Sequence, residues 1–516
     1  MSRSEKSIKN VTVALIGQLF GLLISFVSRI VFIRILGADY LGVNGLFTNI
    51  LTMLSLAELG VGEAITYSLY KPLKEKNVND CTMLMQLYKK IYIIIGVVIF
   101  IIGLSITPFL PFFIDEMPNI SNIYFIFVLF VINTSISYFL SYKRNLIIAD
   151  QNRYIATIYR YGMYFLLNIV QIIYLLIKKD YIVFLILQIL STVIENILIS
   201  RKANKMYPYL KSKEKVQLKE EYKKEIKNNT RAMMMHKVGS AVVISTDNIL
   251  LSKYVSLIAV GIYSNYYLVI NALNTIFSQV FTSLTASVGN LCVSESKEKQ
   301  EQVFNKTFFL NFWIYSFATS CLICLFNHFI QLWIGKDFLF NFMTVCLLGV
   351  NFYITGMRKS VSVFREASGL FYVDRWKAII EAIVNLVLSI IFALKFGAFG
   401  VFLGTLVSSL TVCVWVEPFV LYKYGFEMSV KRYFTKYIKY LLITIINTTV
   451  LYFVLTIFKK ISILTFLVKM IISVLIPNIT IYLLFRNTDD FSYYKNIIIK
   501  VFTKIKKRIS RRKANQ

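Results

Sequence analysis

Ionisable side chains stand inside long apolar runs, among them Arg29, Glu58, Lys237, Asp247 and Glu381, with Glu195 near the end of its run and Lys469 in the last run. A charge at the centre of a hydrocarbon-spanning helix costs about 2.5–3.5 kcal/mol on insertion scales, so each needs a partner, a snorkelling route or a wet cavity. A carboxylate in such a place is a candidate carrier of H⁺ or Na⁺, because burial disfavours its charged form. For Arg29 and Asp247, which fall at similar depth in equivalent runs, service in a cavity competes with a plain internal ion pair. Arg34 and Lys253 lie near run ends, where snorkelling is expected.

Neutral polar residues follow the same logic. In the first run Gly17, Gly21, Ser25 and Ser28 repeat at helical spacing, with Gln18 and Arg29 adjoining. The second carries Thr48, Thr52, Ser55, Glu58 and Gly62; the seventh Lys237, Ser240 and Asp247; the eighth Asn271, Asn274, Ser278, Thr282 and Thr285. On a helix each set shares one face. Two facing bundles would line a cavity with these stripes, although small and hydroxylated residues also serve ordinary helix packing.

The elements that hold these residues follow from composition. The 516 residues are 57% hydrophobic and 16% charged, with mean hydropathy +0.64. Soluble chains carry about 25% charged residues. With 7 prolines and 21 glycines the chain is not disordered, collagenous or a disulfide scaffold. It reads as an all-α polytopic membrane protein. At about 20 apolar residues per crossing, fourteen spans are expected near 12–36, 43–69, 88–110, 122–142, 155–177, 181–200, 233–255, 259–290, 308–329, 340–361, 377–394, 398–420, 437–457 and 464–485. A β-barrel is excluded by the length of the runs and the lack of alternation. The first run is too long for a signal-peptide core and reads as a retained span.

The net charge is +30, yet it does not imply nucleic acid. With the N-terminus inside, segments on the cytoplasmic side hold 45 Lys and Arg, and the opposite loops hold 7. That asymmetry predicts both termini in the cytoplasm. The basic tail 486–516 is expected against anionic lipid headgroups. Basic groups at the cytoplasmic mouth, Lys143, Arg144, Arg153 and Arg160, then Arg358, Lys359, Arg365 and Arg375, suit capture of an anionic headgroup; the ordinary positive-inside excess accounts for them equally well.

Sliding the chain on itself by 219 residues brings Arg34 to Lys253, Gly42 to Gly261, Thr52 to Asn271, Ser55 to Asn274 and Thr66 to Thr285. A shift of 218 aligns 149–154 with 367–372. Spans one to six thus match spans seven to twelve, in one orientation, as in transporters with repeats related by an axis along the membrane normal. The expected organisation is a six-helix bundle over 1–205, a basic linker over 206–230, a second pseudo-symmetric bundle over 231–425, two added helices over 426–485 and the tail.

Other chemistry is missing from the sequence. The two histidines, His236 and His328, are far apart, and Cys321 and Cys324 stand inside a span with no second ligand pair, so no zinc site is expected. There is no Walker glycine loop and no nucleophile elbow. A membrane polymerase would need a catalytic external loop, and the only external acidic pair is Asp115–Glu116 on a short loop. The expectation is no enzyme and no cofactor.

Two stretches carry a resemblance. "SFVSRIVFIRILGADYLGVNGLFTNILTMLSLAELGVGEAITYSLYKPL" (25–73) resembles the start of bacterial polysaccharide repeat-unit flippases, and so does "SYKRNLIIADQNRYI" (141–155). These flippases belong to the multidrug/oligosaccharidyl-lipid/polysaccharide exporter superfamily. The resemblance implies two six-helix bundles in a V plus two helices, and movement of an undecaprenyl-pyrophosphate-linked oligosaccharide across the bacterial cell membrane. It implies cavity-facing basic residues, matched here by Arg29 and Lys237. With these two and the polar stripes above, the expected pyrophosphate and glycan cavity comprises Arg29, Lys237, Gln18, Ser25, Thr52, Ser55, Asn271 and Asn274. Ion coupling to H⁺ or Na⁺ would fall to Asp247, Glu58 and Glu381. Partners would be membrane lipids and a polysaccharide polymerase with its assembly proteins. The competing reading is a cation-coupled multidrug exporter of the same superfamily, which favours acidic cavity residues over basic ones; a membrane polymerase is a third.

Overall fold

The computed structural model describes residues 3–58, 60–211, 222, 226, 230, 245–370, 373–497, 499 and 503. Lys237, Ser240 and His236 lie outside the described residues, as does most of the linker. The described residues form helices and no strand. In chain order these are α1 (Arg3–Leu36), α2 (Ala38–Leu54), α3 (Val61–Ser68), α4 (Tyr70–Glu75), α5 (Val78–Ile106), α6 (Leu110–Phe113), α7 (Ile123–Phe139), α8 (Ser141–Ala149), α9 (Arg153–Ile177) and α10 (Tyr181–Met206). After the linker come α11 (Leu257–Ser294), α12 (Lys297–Ile334), α13 (Phe342–Ala367), α14 (Lys377–Ser408), α15 (Val414–Val420), α16 (Lys431–Thr456) and α17 (Ile463–Phe485).

Polar residues start five of the helices, at the edge of the apolar run or up to about three turns before it. Asn77, Asp180, Ser296, Asn341 and Ser462 each accept a backbone N–H from the first turn of α5, α10, α12, α13 and α17. Such a cap satisfies donors that a helix N-terminus leaves orphaned. Among the described residues eight helices are long and apolar enough to cross a membrane singly, or nine with the bent pair α7–α8 taken as one. One of the eight, the segment Lys377–Phe426, covers two expected spans, because the chain turns at Gly397 with φ 58. The protein is a multi-pass, all-helical membrane protein.

The second expected span departs from a continuous helix. It breaks into α2, a 3₁₀ turn over Ser55–Glu58, and α3. Gly60 takes a left-handed φ of 76, which glycine adopts without steric cost. The stripe from Thr48 to Gly62 therefore does not run down one helical face. The physical reason is local: two glycines in "ELGVGEA" weaken the helix where it would otherwise continue.

Packing groups the chain into two compact units, Met1–Asn265 with Ala378–Val401, and Tyr266–Lys377 with Phe402–Gln516. In the first unit α1 packs on α9, and α5 on α7. An added Cβ at Gly17 or Gly21 would meet the ring of Tyr161, so these glycines admit the aromatic face of α9. In the second unit α16 and α17 dock on α12. Trp313 Nε1 donates to Asn478 Oδ1 at 2.7 Å, Thr444 Oγ1 to Ser316 Oγ at 2.9 Å, and Ser320 and Thr448 share a hydroxyl bond of 2.9 Å. Phe312 stacks on Tyr440 with centroids 4.2 Å apart. Cys321 and Cys324 donate to the carbonyls of Ser473 and Thr448, as small packing residues would.

The 219-residue offset has a counterpart in the first unit. A Cβ at Gly42 would strike the carbonyl of Leu257, and one at Gly261 would meet the carbonyl of Ala38 at 2.8 Å. Ala38 and Leu257 are themselves 219 residues apart, as are Gly42 and Gly261. Each residue thus meets the repeat equivalent of its partner's neighbour, the pattern of a two-fold, self-complementary contact. Gly45 continues it, lying beside Val260 and within reach of Ser264, its own equivalent.

Candidate functional site

Arg29 sits seven residues before the end of α1, and Ser264 seven residues after the start of α11. At 1.5 Å per residue each is about 10 Å in from its helix end. Arg29 Nη1 donates to Ser264 Oγ at 3.1 Å, and Ser264 Oγ donates to Gly261 O at 2.7 Å. Ser25, one turn earlier on α1, donates to Gly21 O at 2.7 Å and lies 2.6 Å from the Tyr164 hydroxyl of α9. Tyr164 is within electrostatic reach of Arg29. Three helices therefore bring Arg29, Ser25, Tyr164 and Ser264 together.

A guanidinium carries five N–H donors. Among the described residues Arg29 commits one of them, to a neutral hydroxyl, and has no carboxylate partner within ion-pair distance. A cation so placed in a span has the fork geometry for a carboxylate or phosphate from outside the protein.

The remaining expected residues divide between the units. Gln18, on α1, is half-buried and engages a neighbour. Thr52 is exposed and Ser55 half-buried, and their hydroxyls donate back to Thr48 O and Leu51 O. Asn271 and Asn274 belong to the second unit. Asn271 is exposed, whereas Asn274 holds its Oδ1 buried with no hydrogen-bond partner among the described residues. Asp247 is buried and Glu381 half-buried, both in the first unit and both engaged with neighbours.

Glu58 lies at the break between α2 and α3. Tyr92 donates to Glu58 Oε1 at 2.5 Å, Tyr88 to Gly62 O at 2.8 Å, and Asn145 Nδ2 to the Tyr88 hydroxyl at 2.5 Å. Gly62 is hemmed in by Glu58 Oε1 and the hydroxyls of Tyr92 and Tyr88, so no larger residue fits. Among the described residues no Lys or Arg pairs with Glu58. Among the described residues, the first unit thus holds a basic group and an acidic one with no opposite charge paired to either.

The second unit treats charge differently. Glu417 on α15 is fully buried and takes a bidentate pair from Arg358 of α13, Nε to Oε2 at 3.0 Å and Nη2 to Oε1 at 2.9 Å. Lys377 also donates to Glu417 Oε1, and Arg365 to Asp374 Oδ2. Arg365 lies 3.6 Å from Glu417, and Lys377 3.7 Å from Asp374. Arg358 and Arg365, expected as candidates for headgroup capture, are therefore occupied within the protein. In the first unit Arg144 similarly pairs with Glu195 at 2.7 Å and donates to Asn196, while Lys143 donates to Ser200.

Sequence reading passed over Glu417, Ser264 and Tyr164. Glu417 carried a usable signal, a carboxylate in an otherwise apolar span, the same one that marked Glu58. Ser264 and Tyr164 carry no signal of type or spacing; only packing brings them to Arg29.

No protein-family model matches the sequence, and no curated protein does. Solved structures do. A structure of the lipid II flippase MurJ in an inward closed conformation is 16% identical, covers 92% of this chain and 99% of its own, and superposes with a TM-score of 0.64. An inward-facing multidrug resistance MATE family transporter of the MOP superfamily is 14% identical over 82% of this chain and 99% of its own, with a TM-score of 0.65. A MOP superfamily transporter from Pyrococcus furiosus, described as having a binding pocket of reversed polarity, is 14% identical over 83% and 98%, with a TM-score of 0.56. The chain has the fold that this lipid II flippase and these MOP-superfamily transporters share.

Proposed function

We propose that this protein is a flippase that moves an undecaprenyl-pyrophosphate-linked oligosaccharide between leaflets by alternating access, for export of a cell-surface polysaccharide. The observation that carries the reading is Arg29: a guanidinium well inside an apolar span, bonded to a hydroxyl and paired with no carboxylate among the described residues. An uncompensated, half-buried cation inside a span is costly unless water or an incoming anion meets it. A pyrophosphate supplies that anion. At 4 Å and an effective dielectric of 20, one such charge pair is worth about 4 kcal/mol. Polar glycan and phosphate need a hydrated cavity through about 30 Å of hydrocarbon, while the lipid chain stays in the bilayer.

In this reading Gln18, Ser25, Thr52, Ser55, Asn271 and Asn274 offer hydrogen bonds to the sugars, and Lys237 a second cation. The bundles 1–205 and 231–425 rock against each other. Binding of H⁺ or Na⁺ at Asp247, Glu58 or Glu381 biases the two states. Both termini face the cytoplasm of a bacterial cell. The fold that the chain shares with a lipid II flippase supports this reading; the fold that it shares with MATE transporters keeps the multidrug exporter as the alternative.

The test is transport by purified protein in proteoliposomes, with a fluorescent prenyl-pyrophosphate-linked sugar in one arm and a cationic dye in the other. Flipping of the lipid-linked sugar that falls more than about tenfold in Arg29→Ala, with partial recovery in Arg29→Lys, supports the proposal. Dye efflux with no lipid flipping overturns it in favour of the exporter.

A further inference from the structure

The bond that Arg29 makes in this structure ends on the two-fold contact between α2 and α11. Ser264 accepts from Arg29 and donates to Gly261 O, and Gly261 is the residue whose Cα lies against Ala38 and Gly42 of α2. Gly45 of α2 lies within 4.0 Å of the Ser264 Cβ itself, by the same measure of an added Cβ. One serine therefore joins the candidate anion site to a helix crossing with no room for a side chain. A serine hydroxyl has one proton to give, and here it goes to Gly261; its acceptor side takes Arg29.

We propose that Ser264 is the resting partner of Arg29, that a phosphate-bearing ligand displaces it, and that this exchange releases the Gly42–Gly261 crossing. The inference rests on the anion-binding reading of Arg29 and names how that site is coupled to movement. A phosphate offers two charged acceptors to the guanidinium fork, where Ser264 offers one neutral oxygen, so the exchange runs toward the ligand. With the bond to Arg29 gone, no described hydrogen bond ties α1 to Ser264, and α11 loses this side-chain tie to α1, while α2 stays joined to α1 through Gly37. The glycine crossing suits a two-state contact, because tight packing allows either full approach or separation rather than gradual deformation. The internal repeat makes the crossing two-fold, so opening at Gly42 and at Gly261 is one event.

The experiment is hydrogen–deuterium exchange of the full chain in lipid nanodiscs, with farnesyl pyrophosphate as the probe and its binding measured in parallel. In the wild type, saturating probe should raise exchange in segments 38–45 and 257–264 together, by about threefold or more. Ser264→Ala should raise exchange there without probe and bind the probe several-fold more tightly, because Arg29 no longer leaves a partner. Gly261→Ala, whose Cβ meets the Ala38 carbonyl, should do the same without altering either side chain of the Arg29–Ser264 bond. Probe that binds the wild type, and is lost in Arg29→Ala, while both segments keep their exchange overturns the coupling and leaves the anion reading standing. Probe that binds Arg29→Ala as well as wild type overturns the anion reading and the coupling with it. Unchanged probe affinity in both Ser264→Ala and Gly261→Ala overturns the displacement step alone.

Discussion

Arg29 and Arg358 are both guanidiniums in apolar helices, and the two units treat them in opposite ways. Arg358 faces Glu417 through two hydrogen bonds, in a cluster that also holds Lys377, Arg365 and Asp374. Three cations and two carboxylates there nearly cancel. Arg29 has a serine hydroxyl. A low-dielectric interior penalises any charge. Where the described residues supply the counter-charge, removal of one partner harms the fold; where they do not, as at Arg29, removal is expected to spare the fold and, on the proposed reading, to harm anion binding. The clamp between Arg144 and Glu195 stands between the two extremes, paired but with side chains 25% and 17% exposed.

That contrast is open to direct attack. The largest effect on stability is expected for Arg358→Ala, which leaves Glu417 buried with a weakened counter-charge; loss of about 3–5 kcal/mol should appear as a lower thermal midpoint in detergent and as reduced membrane yield. If the variant unfolds at the wild-type midpoint, the cluster does not hold the second unit. For Arg29→Ala the prediction is reversed: a stability change under about 1 kcal/mol, since a single bond to a hydroxyl is lost, with lipid flipping down more than about tenfold. A midpoint that falls as far as that of Arg358→Ala would make Arg29 a structural residue. Gly62→Ala should cost about 1–3 kcal/mol by overpacking against Glu58, Tyr92 and Tyr88. Its thermal midpoint should recover partly when Tyr92→Phe removes one of the oxygens in the way; no recovery would place the strain elsewhere. The smallest change belongs to Glu195→Gln, about 1 kcal/mol for a partly exposed pair that keeps its Arg144 hydrogen bond to Asn196, measured by the same melt. A loss of the Arg358→Ala size would show that partial exposure does not weaken the first clamp.

Much of the architecture was legible before any coordinates. Apolar runs of about 20 residues divided by basic loops are a direct reading of the bilayer's thickness and of its charge rule. The 219-residue offset was visible as scattered identities, and Gly42 with Gly261 then met at a two-fold crossing. Arg29 was singled out because any charge in such a run is expensive. The break at Gly60 was missed, since apolar patterning alone reads straight through a helix that two glycines interrupt. The headgroup roles considered for Arg358 and Arg365 gave way once Glu417 and Asp374 were found against them.

Composition and periodicity determined by themselves that this chain lives in a membrane and which charges stand inside its apolar runs. Those properties depend on each segment's transfer energy, which is a sum over its own residues. Which charges were neutralised, and that Ser264 and Tyr164 gather round Arg29, only the tertiary structure decided. Partnership depends on side chains more than two hundred positions apart coming within about 3 Å, and no local sum contains that distance.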